Sequence, residues 1–381
     1  MNTGEGPILI LTASAGAGHG VAAQAVESAI RARCPDADVE VLDVLRVCNS
    51  FFRAVYAQGY LGLVRHAPAG MGMLYDTMDR PDLGLRETLR VGFQNMNLGT
   101  VRRFLLRREP RLIINTHFLP AEVVAQLRRE KKISCPQATV TTDFETHRLW
   151  VQEPTERYYT ATEQGKAYLA TWGVDPARIL VTGIPVRPGF EQPSNGSEIR
   201  KTHELDPQRP VVLLLCGGCG VGPTEELLRE LLSMPSEPTI VVITGRNEKL
   251  RKRLERLTAS SDKPVRIVGF TDRMHEWMGV ADLIVSKPGG LTVAEATVCG
   301  TPLVSVNAIP GQETRNSDYL LENGAAIKVN NTRLLGFRVA QLLEDPERLA
   351  TLRDAARALG RPGAAARIAA DALSLLEERR N

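Results

Sequence analysis

The sequence predicts an α/β protein with two parallel-sheet domains, and three observations carry that expectation. Short apolar runs alternate with helix-length segments, an order that a parallel sheet with crossover helices accommodates. The series begins twice, at Ile8-Leu-Ile-Leu-Thr12 and at Pro210-Val-Val-Leu-Leu-Leu215, each time with a Gly-rich loop directly after the strand. Between the two series, residues 185–197 turn loop-like, which puts the domain boundary there. Two such domains facing each other leave a central cleft at the carboxyl ends of their strands, the expected ligand site.

Each element follows in order. After the first strand, Ala13 to Gly20 is a small-residue loop, Val21 to Arg33 fits a helix, and Asp38 to Asp43 is the next strand. Residues 50–108 are helix-leaning and mix aromatics with Arg. Strands are expected at 112–115, 137–142, 158–161 and 179–182, with a helix from Glu163. In the second series they fall at 210–215, 239–244, 265–268, 281–285, 302–306 and 325–329. Helices open at Pro223, after Gly245-Arg-Asn247, at Met274 and at Leu291, and the tail from Asp345 is helical. The expected divisions are 1–187, 188–355 and a C-terminal helix in 356–381 that packs back on the first domain.

With 381 residues and 43% hydrophobic content, the chain can bury a large core. A net charge of +3 does not point to nucleic acid. Its distribution is uneven: Val44 to Arg111 holds eleven Arg and no Lys against five acidic residues, a local excess of +6. Phe51 to Arg65 suits either a membrane-surface element, whose Arg pair with anionic lipid, or a buried helix with a solvated Arg face. No run reaches the roughly 18–20 apolar residues of a spanning helix. The six cysteines are scattered and no secretory signal is visible, so free thiols and a cytoplasmic location are expected.

The motif with most chemistry is Ser286-Lys-Pro-Gly-Gly-Leu-Thr-Val-Ala-Glu295. Strand, Gly-rich turn and helix make an anion-binding unit, because unpaired N–H groups and the positive helix end face the turn. Glu295, one turn in, is an acceptor suited to a sugar diol. Pro310 to Asn316 places Gln312 and Glu313 just after the next strand end. In the first domain, Gly16-Ala-Gly18-His19 lacks the third Gly of a dinucleotide fingerprint. His19 at this loop–helix junction is either a general base near neutral pH or an ordinary loop histidine. Thr142-Asp143 with His147 and Trp150 suggests the wall of an acceptor site, with capping of the next turn as the alternative for Asp143. Cys216-Gly-Gly-Cys219 has no partner pair at zinc spacing, and Asp36 and Asp38 read as a surface turn, so no metal is expected.

Taken together and in order, these motifs resemble those of the monogalactosyldiacylglycerol synthases and processive diacylglycerol glucosyltransferases. The markers are Gly16-Ala-Gly-His19, Thr142-Asp143 with His147 and Trp150, Thr182-Gly-Ile-Pro-Val186, Gly245-Arg-Asn247, Lys287 to Thr292 with Glu295, and Pro310 to Glu313 with Asn316. More distantly, the chain is similar to the N-acetylglucosaminyltransferase of peptidoglycan lipid synthesis. The resemblance implies a GT-B fold of two Rossmann-like domains, the lipid acceptor on the first and the UDP-sugar mainly on the second. It implies a diphosphate at Gly289, Gly290, Leu291 and Thr292, ribose at Glu295, uracil by Phe270, and sugar hydroxyls at Gln312 and Glu313. Gly217 and Gly218 let a loop approach the donor. His19, beside Gly18, becomes the base for the acceptor hydroxyl, with Asp143 in support. His147, Trp150, Arg102 and Arg103 fall on the acceptor and membrane side.

The function so implied is inverting transfer of a hexose from UDP-glucose or UDP-galactose to diacylglycerol at the inner face of the cell membrane, without a metal or other cofactor. A polyprenyl-linked lipid is a competing acceptor. A nicotinamide-dependent oxidoreductase is the alternative from another class, against which the ill-fitting first fingerprint stands.

Overall fold

The computed structural model describes residues 6–14, 16–49, 52–53, 98–192, 195–216 and 223–378. Gly217, Gly218, Cys219 and nearly all of the aromatic and Arg segment from Phe51 to Arg65 lie outside the described residues. The chain divides into two compact units: Met1–Arg187 with Ile309–Gln312 and Gly363–Asn381, and Pro188–Ala308 with Glu313–Pro362.

The first unit holds a six-stranded sheet of β1 (Ile8–Thr12), β2 (Val39–Asp43), β3 (Leu112–Asn115), β4 (Gln137–Val140), β5 (Arg157–Thr160) and β6 (Ile179–Val181). The strands lie in the order β2-β1-β3-β4-β5-β6, and every pairing is parallel. Alternate side chains of β1 serve the two faces. Ile8 and Ile10 pack with Ala23, Val26 and Ile30 of the helix Ala17–Arg33. Leu9 and Leu11 pack with Leu119, Val123 and Leu127 of the helix Phe118–Arg129. A parallel strand covered on both faces therefore reads as an unbroken apolar run.

The second unit repeats the plan with β7 (Val211–Leu215), β8 (Thr239–Ile243), β9 (Val265–Val268), β10 (Leu283–Ser286), β11 (Leu303–Val306) and β12 (Ala326–Val329). Their order is β12-β11-β10-β7-β8-β9, again all parallel. One face is a single apolar cluster, in which Val212 and Leu214 meet Leu227, Leu228 and Leu231 of the helix Thr224–Ser233. Asp282 ties its amino-terminal edge together: it accepts from the Val211 N–H and pairs with Arg200 and Arg353.

The C-terminal tail is two helices, Pro346–Leu359 and Ala364–Glu378. The first stays with the second unit, so residues 356–362 do not belong to the final helix. The break falls at Gly360-Arg-Pro-Gly363. Gly363 takes φ +77, and a Cβ on Gly360 would meet the Thr297 carbonyl oxygen at 2.5 Å. Only glycine suits either position. The last helix then lies against Ala17–Arg33, burying Ile368, Ala369, Ala372 and Leu375 in the core behind β1. Tyr159 Oη donates to Asp371 at 2.8 Å, and Arg367 donates to the Thr182 carbonyl at 2.6 Å.

Ile368 is fully buried. Ile368→Ala is expected to destabilise the first unit by about 2–4 kcal/mol through lost burial and the cavity left behind. Urea unfolding, followed by fluorescence in a variant that retains only Trp150, measures the loss. A change under about 0.5 kcal/mol would mean that the helix is not part of this core.

Candidate active site

Ligands of open parallel sheets bind at strand carboxyl ends, where the strand order reverses. In the first unit that point lies between β1 and β3. After β1 the chain enters the helix Ala17–Arg33 with Gly16 as N-cap, no side-chain cap and no acidic residue in the first turn. The amino-terminal N–H groups and positive helix end are thus uncompensated by side chains. Gly18 and His19 lie in this first turn.

His19 is gripped by the ends of the two neighbouring strands. Its Nδ1 lies 3.2 Å from the Thr116 carbonyl oxygen, just after β3, and 2.7 Å from Thr142 Oγ1, just after β4. Thr116 also donates its hydroxyl to the His19 carbonyl at 3.0 Å and its N–H to Leu11 at 2.9 Å. The His117 ring meets His19 edge to face, with centroids 4.6 Å apart. His117 accepts from the Leu119 N–H at 3.0 Å, capping the helix Phe118–Arg129. Phe118, His147 and Trp150 complete an aromatic cluster, and the Trp150 ring centroid is 6.5 Å from that of His19.

His19 keeps some surface at the helix start, but its ring is enclosed. Burial pulls its pKa down to about 4, with the Thr116 carbonyl opposing the shift. His117 is lowered well below the usual histidine value by burial and then by its histidine neighbours. His19 is therefore neutral at neutral pH, as a base must be, but it is a weaker base than an exposed histidine.

Asp143 is buried and accepts from Trp150 Nε1 at 3.2 Å. Gln312, in the short segment that groups with the first unit, also donates to it. His147 Nε2 stands 3.9 Å from the same carboxylate. The sequence suggested that Asp143 supports His19; the groups on His19 Nδ1 are instead the Thr142 hydroxyl and the Thr116 carbonyl. Sequence reasoning missed Thr116, His117 and the role of Thr142. The visible signal was a strand ending in Asn115 and followed at once by two polar residues.

In the second unit the strand order reverses between β10 and β7. β10 ends at Ser286, and the helix Gly290–Cys299 starts with Gly289 as N-cap, no side-chain cap and no acidic residue in its first turn. The N–H groups of Gly290, Leu291 and Thr292 have no intrahelical acceptor, which suits this end to an anion. Lys287 Nζ stands 3.6 Å from Glu313 Oε1 beside the turn, a cation that the sequence reading named within its motif but gave no role. Asn316 donates to the Pro288 carbonyl at 3.2 Å and fixes the turn from below. Glu295 is buried one turn further along. Phe270 is 62% exposed, and the Arg246 guanidinium sits 4.7 Å from its ring centroid, a cation–π contact at the ends of β8 and β9. At the end of β7, burial pushes the Cys216 thiol up to about 11, so it is no ready nucleophile.

Arg102 and Arg103 lie on the helix Gly99–Arg108, whose inner face buries Val101 and Leu105. Arg102 pairs with Glu130 at 2.5 Å and Arg108 pairs with Glu40, whereas Arg103, Leu106 and Arg107 are exposed. Hydrogen bonds from Arg102 and Lys132 hold the Glu130 carboxyl down at about 2. Among the described residues, no group of three or more His, Cys, Asp or Glu could hold a metal ion, and no helix is long and apolar enough to cross a membrane.

The monogalactosyldiacylglycerol (MGDG) synthase family matches residues 19–186, and the glycosyltransferase family 28 C-terminal domain matches residues 213–368. A processive diacylglycerol β-glucosyltransferase of Bacillus subtilis is 32% identical over 92% of this chain and 90% of its own length. The chain belongs to this family of glycosyltransferases. The Bacillus licheniformis relative of the same name is 31% identical over 92% of this chain and 89% of its own. Acinetobacter baumannii MurG superposes with a TM-score of 0.61 at 14% identity, covering 97% of this chain and 99% of its own. Anabaena Alr3699/HepE, solved with UDP-glucose, does so with a TM-score of 0.56 at 16% identity, covering 97% and 100%. At such identity these likenesses establish the fold alone: GT-B, two Rossmann-like domains.

The lowered His19 pKa has a thermodynamic consequence. Between pH 6.5 and about 4 the unfolded chain binds a proton at this position that the folded chain does not. Its contribution therefore makes stability fall as pH drops through that window. His19→Gln is expected to make the fall shallower. Urea midpoints at several pH values between about 4.5 and 7 test this, and an unchanged slope would return His19 to ordinary basicity.

Proposed function

We propose that the enzyme transfers a hexose from a UDP-sugar to diacylglycerol with inversion, forming a β-glycosyl-diacylglycerol. The observation that carries the chemistry is the enclosed, neutral His19 at the switch point of the first unit, held by two strand ends. The acceptor binds there, and the nucleotide sugar binds at the turn before Gly290–Cys299 in the second unit. Family membership supplies the donor and acceptor classes, since the curated relatives are named for glucosyl transfer to diacylglycerol.

In the transfer, His19 accepts the proton of the acceptor hydroxyl as its oxygen attacks the anomeric carbon. The bond from that carbon to the diphosphate oxygen breaks, and the electron pair leaves with UDP. Negative charge then develops on the diphosphate. The N–H groups of Gly290, Leu291 and Thr292, the positive helix end and Lys287 are suited to stabilise it without a metal. Glu295 is assigned to the ribose, Phe270 with Arg246 to the uracil, and Gln312 and Glu313 to the sugar hydroxyls. Gly217 and Gly218 are assigned to the loop approaching the donor. Asp143, with His147 and Trp150, shapes the acceptor side. Exposed Arg103, Leu106 and Arg107 suit contact with an anionic inner membrane face, to which the protein binds peripherally.

Product formation from radiolabelled UDP-glucose and UDP-galactose, with diacylglycerol in anionic vesicles and EDTA present, tests this directly. The expected outcome is one glycolipid product from one of the two donors. UDP binding with no glycolipid from either donor would overturn the acceptor assignment. Loss of activity in EDTA would overturn the metal-free mechanism. His19→Ala is expected to lower turnover by at least about 10²-fold, the scale of general-base assistance, with UDP affinity nearly unchanged. An equal loss of UDP affinity would remove His19 from the base role.

A further inference from the structure

We infer that His117 is the positioning residue of His19: a ring kept neutral by capping its own helix, which braces the base and leaves the pair room for a single proton, the one His19 takes. The catalytic consequence rests on the proposed function; the protonation state of His117 does not.

The cap fixes the tautomer. His117 Nδ1 accepts from the Leu119 N–H at 3.0 Å, at the start of the helix Phe118–Arg129. A backbone N–H only donates, so this nitrogen keeps its lone pair, and in the neutral ring the proton sits on Nε2. Protonating Nδ1 as well would set two N–H groups against each other and abolish the cap. On His19 the order is reversed. The Thr116 carbonyl, which only accepts, lies 3.2 Å from Nδ1 and puts the proton there, with the lone pair on Nε2. The Thr142 hydroxyl can donate or accept and follows that assignment. Two consecutive residues after β3 thus set the two rings to opposite tautomers.

The ring contact is the brace. Both oxygens that hold the His19 ring meet it at Nδ1. Bonds at one atom leave the ring free to tilt about that atom. The His117 ring, edge to face with centroids 4.6 Å apart, stands against the tilt. His117 is itself buried and packs on Phe118, with centroids 4.2 Å apart. Among the described residues, His19 from the helix Ala17–Arg33 and His147 from the segment after β4 are the titratable groups whose charge opposes one on His117. His147 in turn stands 3.9 Å from Asp143. Burial opposes that charge more strongly still. The acceptor proton therefore goes to His19, and the imidazolium meets no second positive charge on the ring beside it.

His117→Asn keeps a side-chain oxygen for the Leu119 N–H and removes the ring. His117→Asp also keeps the cap and sets a carboxylate beside His19. The full-length protein, labelled with 15N-histidine, reports tautomers and titration through long-range 15N–1H correlation between about pH 4.5 and 8. His117→Asp and His19→Gln identify the two resonances. Glycosyl transfer and UDP binding are measured in parallel. In the wild type, His117 is expected in the neutral Nε2–H form throughout. His117→Asn is expected to keep UDP affinity within about twofold and to lower kcat by about tenfold or more. His117→Asp is expected to raise the His19 titration midpoint by about one pH unit or more. A wild-type His117 that is Nδ1–H or protonated at neutral pH overturns the assignment. A His117→Asn enzyme with kcat within about twofold of wild type reduces the residue to a helix cap and overturns the brace. A His19 midpoint unmoved in His117→Asp overturns the coupling of the two rings. If His117→Asn does not fold, the wild-type tautomer and the His117→Asp midpoint decide. If the wild type glycosylates no diacylglycerol, the proposed function fails, and the spectra still decide the state of His117.

Discussion

The core of the candidate site in each unit depends on the point in its parallel sheet where strand order reverses. A parallel strand needs a crossover, and successive crossovers on either side of that point take opposite faces. In the first unit the helix after β1 packs against Ile8 and Ile10, while the helix after β3 packs against Leu9 and Leu11. The two connections separate at the strand ends, where backbone N–H groups and polar side chains gather. His19, Thr116 and Thr142 all lie there because β1, β3 and β4 are neighbours.

The same constraint gives the two units different chemistry. Both reversal points start a helix with glycine as N-cap and without a side-chain cap. In the second unit the first turn is Gly290-Leu-Thr292 beside Lys287, a set of donors suited to a diphosphate. In the first unit the first turn carries His19, and its surroundings are aromatic and buried. Burial there opposes the imidazolium and keeps the ring neutral. One backbone device is thus suited to anion binding in one unit and, on the proposed function, to proton transfer in the other.

The tail shows how a local signal decides a long-range outcome. Gly360-Arg-Pro-Gly363 breaks an otherwise helical stretch, and the chain leaves the second unit and finishes the core of the first. The alanines of Ala364–Glu378 permit close approach to the alanine-rich helix after β1. The Tyr159–Asp371 and Arg157–Asp371 contacts fix that helix against the sheet.

The sequence by itself determined the twelve strands, most directly β1, β7, β8 and β10, which are almost fully buried and read as nearly continuous apolar runs that need no partner to be recognised. It also determined the turn at Gly289 and Gly290, a local pattern of strand, glycine and helix start suited to an anion. The break at Gly360 to Gly363 was not read from the sequence, which placed the start of the final helix at 356. Only the tertiary structure decided what surrounds His19. Thr116 lies 97 residues away and Thr142 lies 123 away, and no local pattern links either of them to His19. Strand adjacency brings them to one ring, and adjacency is set by packing across the sheet. The lowered pKa of His19 likewise arises from enclosure by residues distant in the chain, and the engagement of Asp143 by Trp150 and Gln312 depends on where the 309–312 segment settles. Spacing along a chain reports local geometry, whereas desolvation and hydrogen-bond partners are properties of the folded neighbourhood.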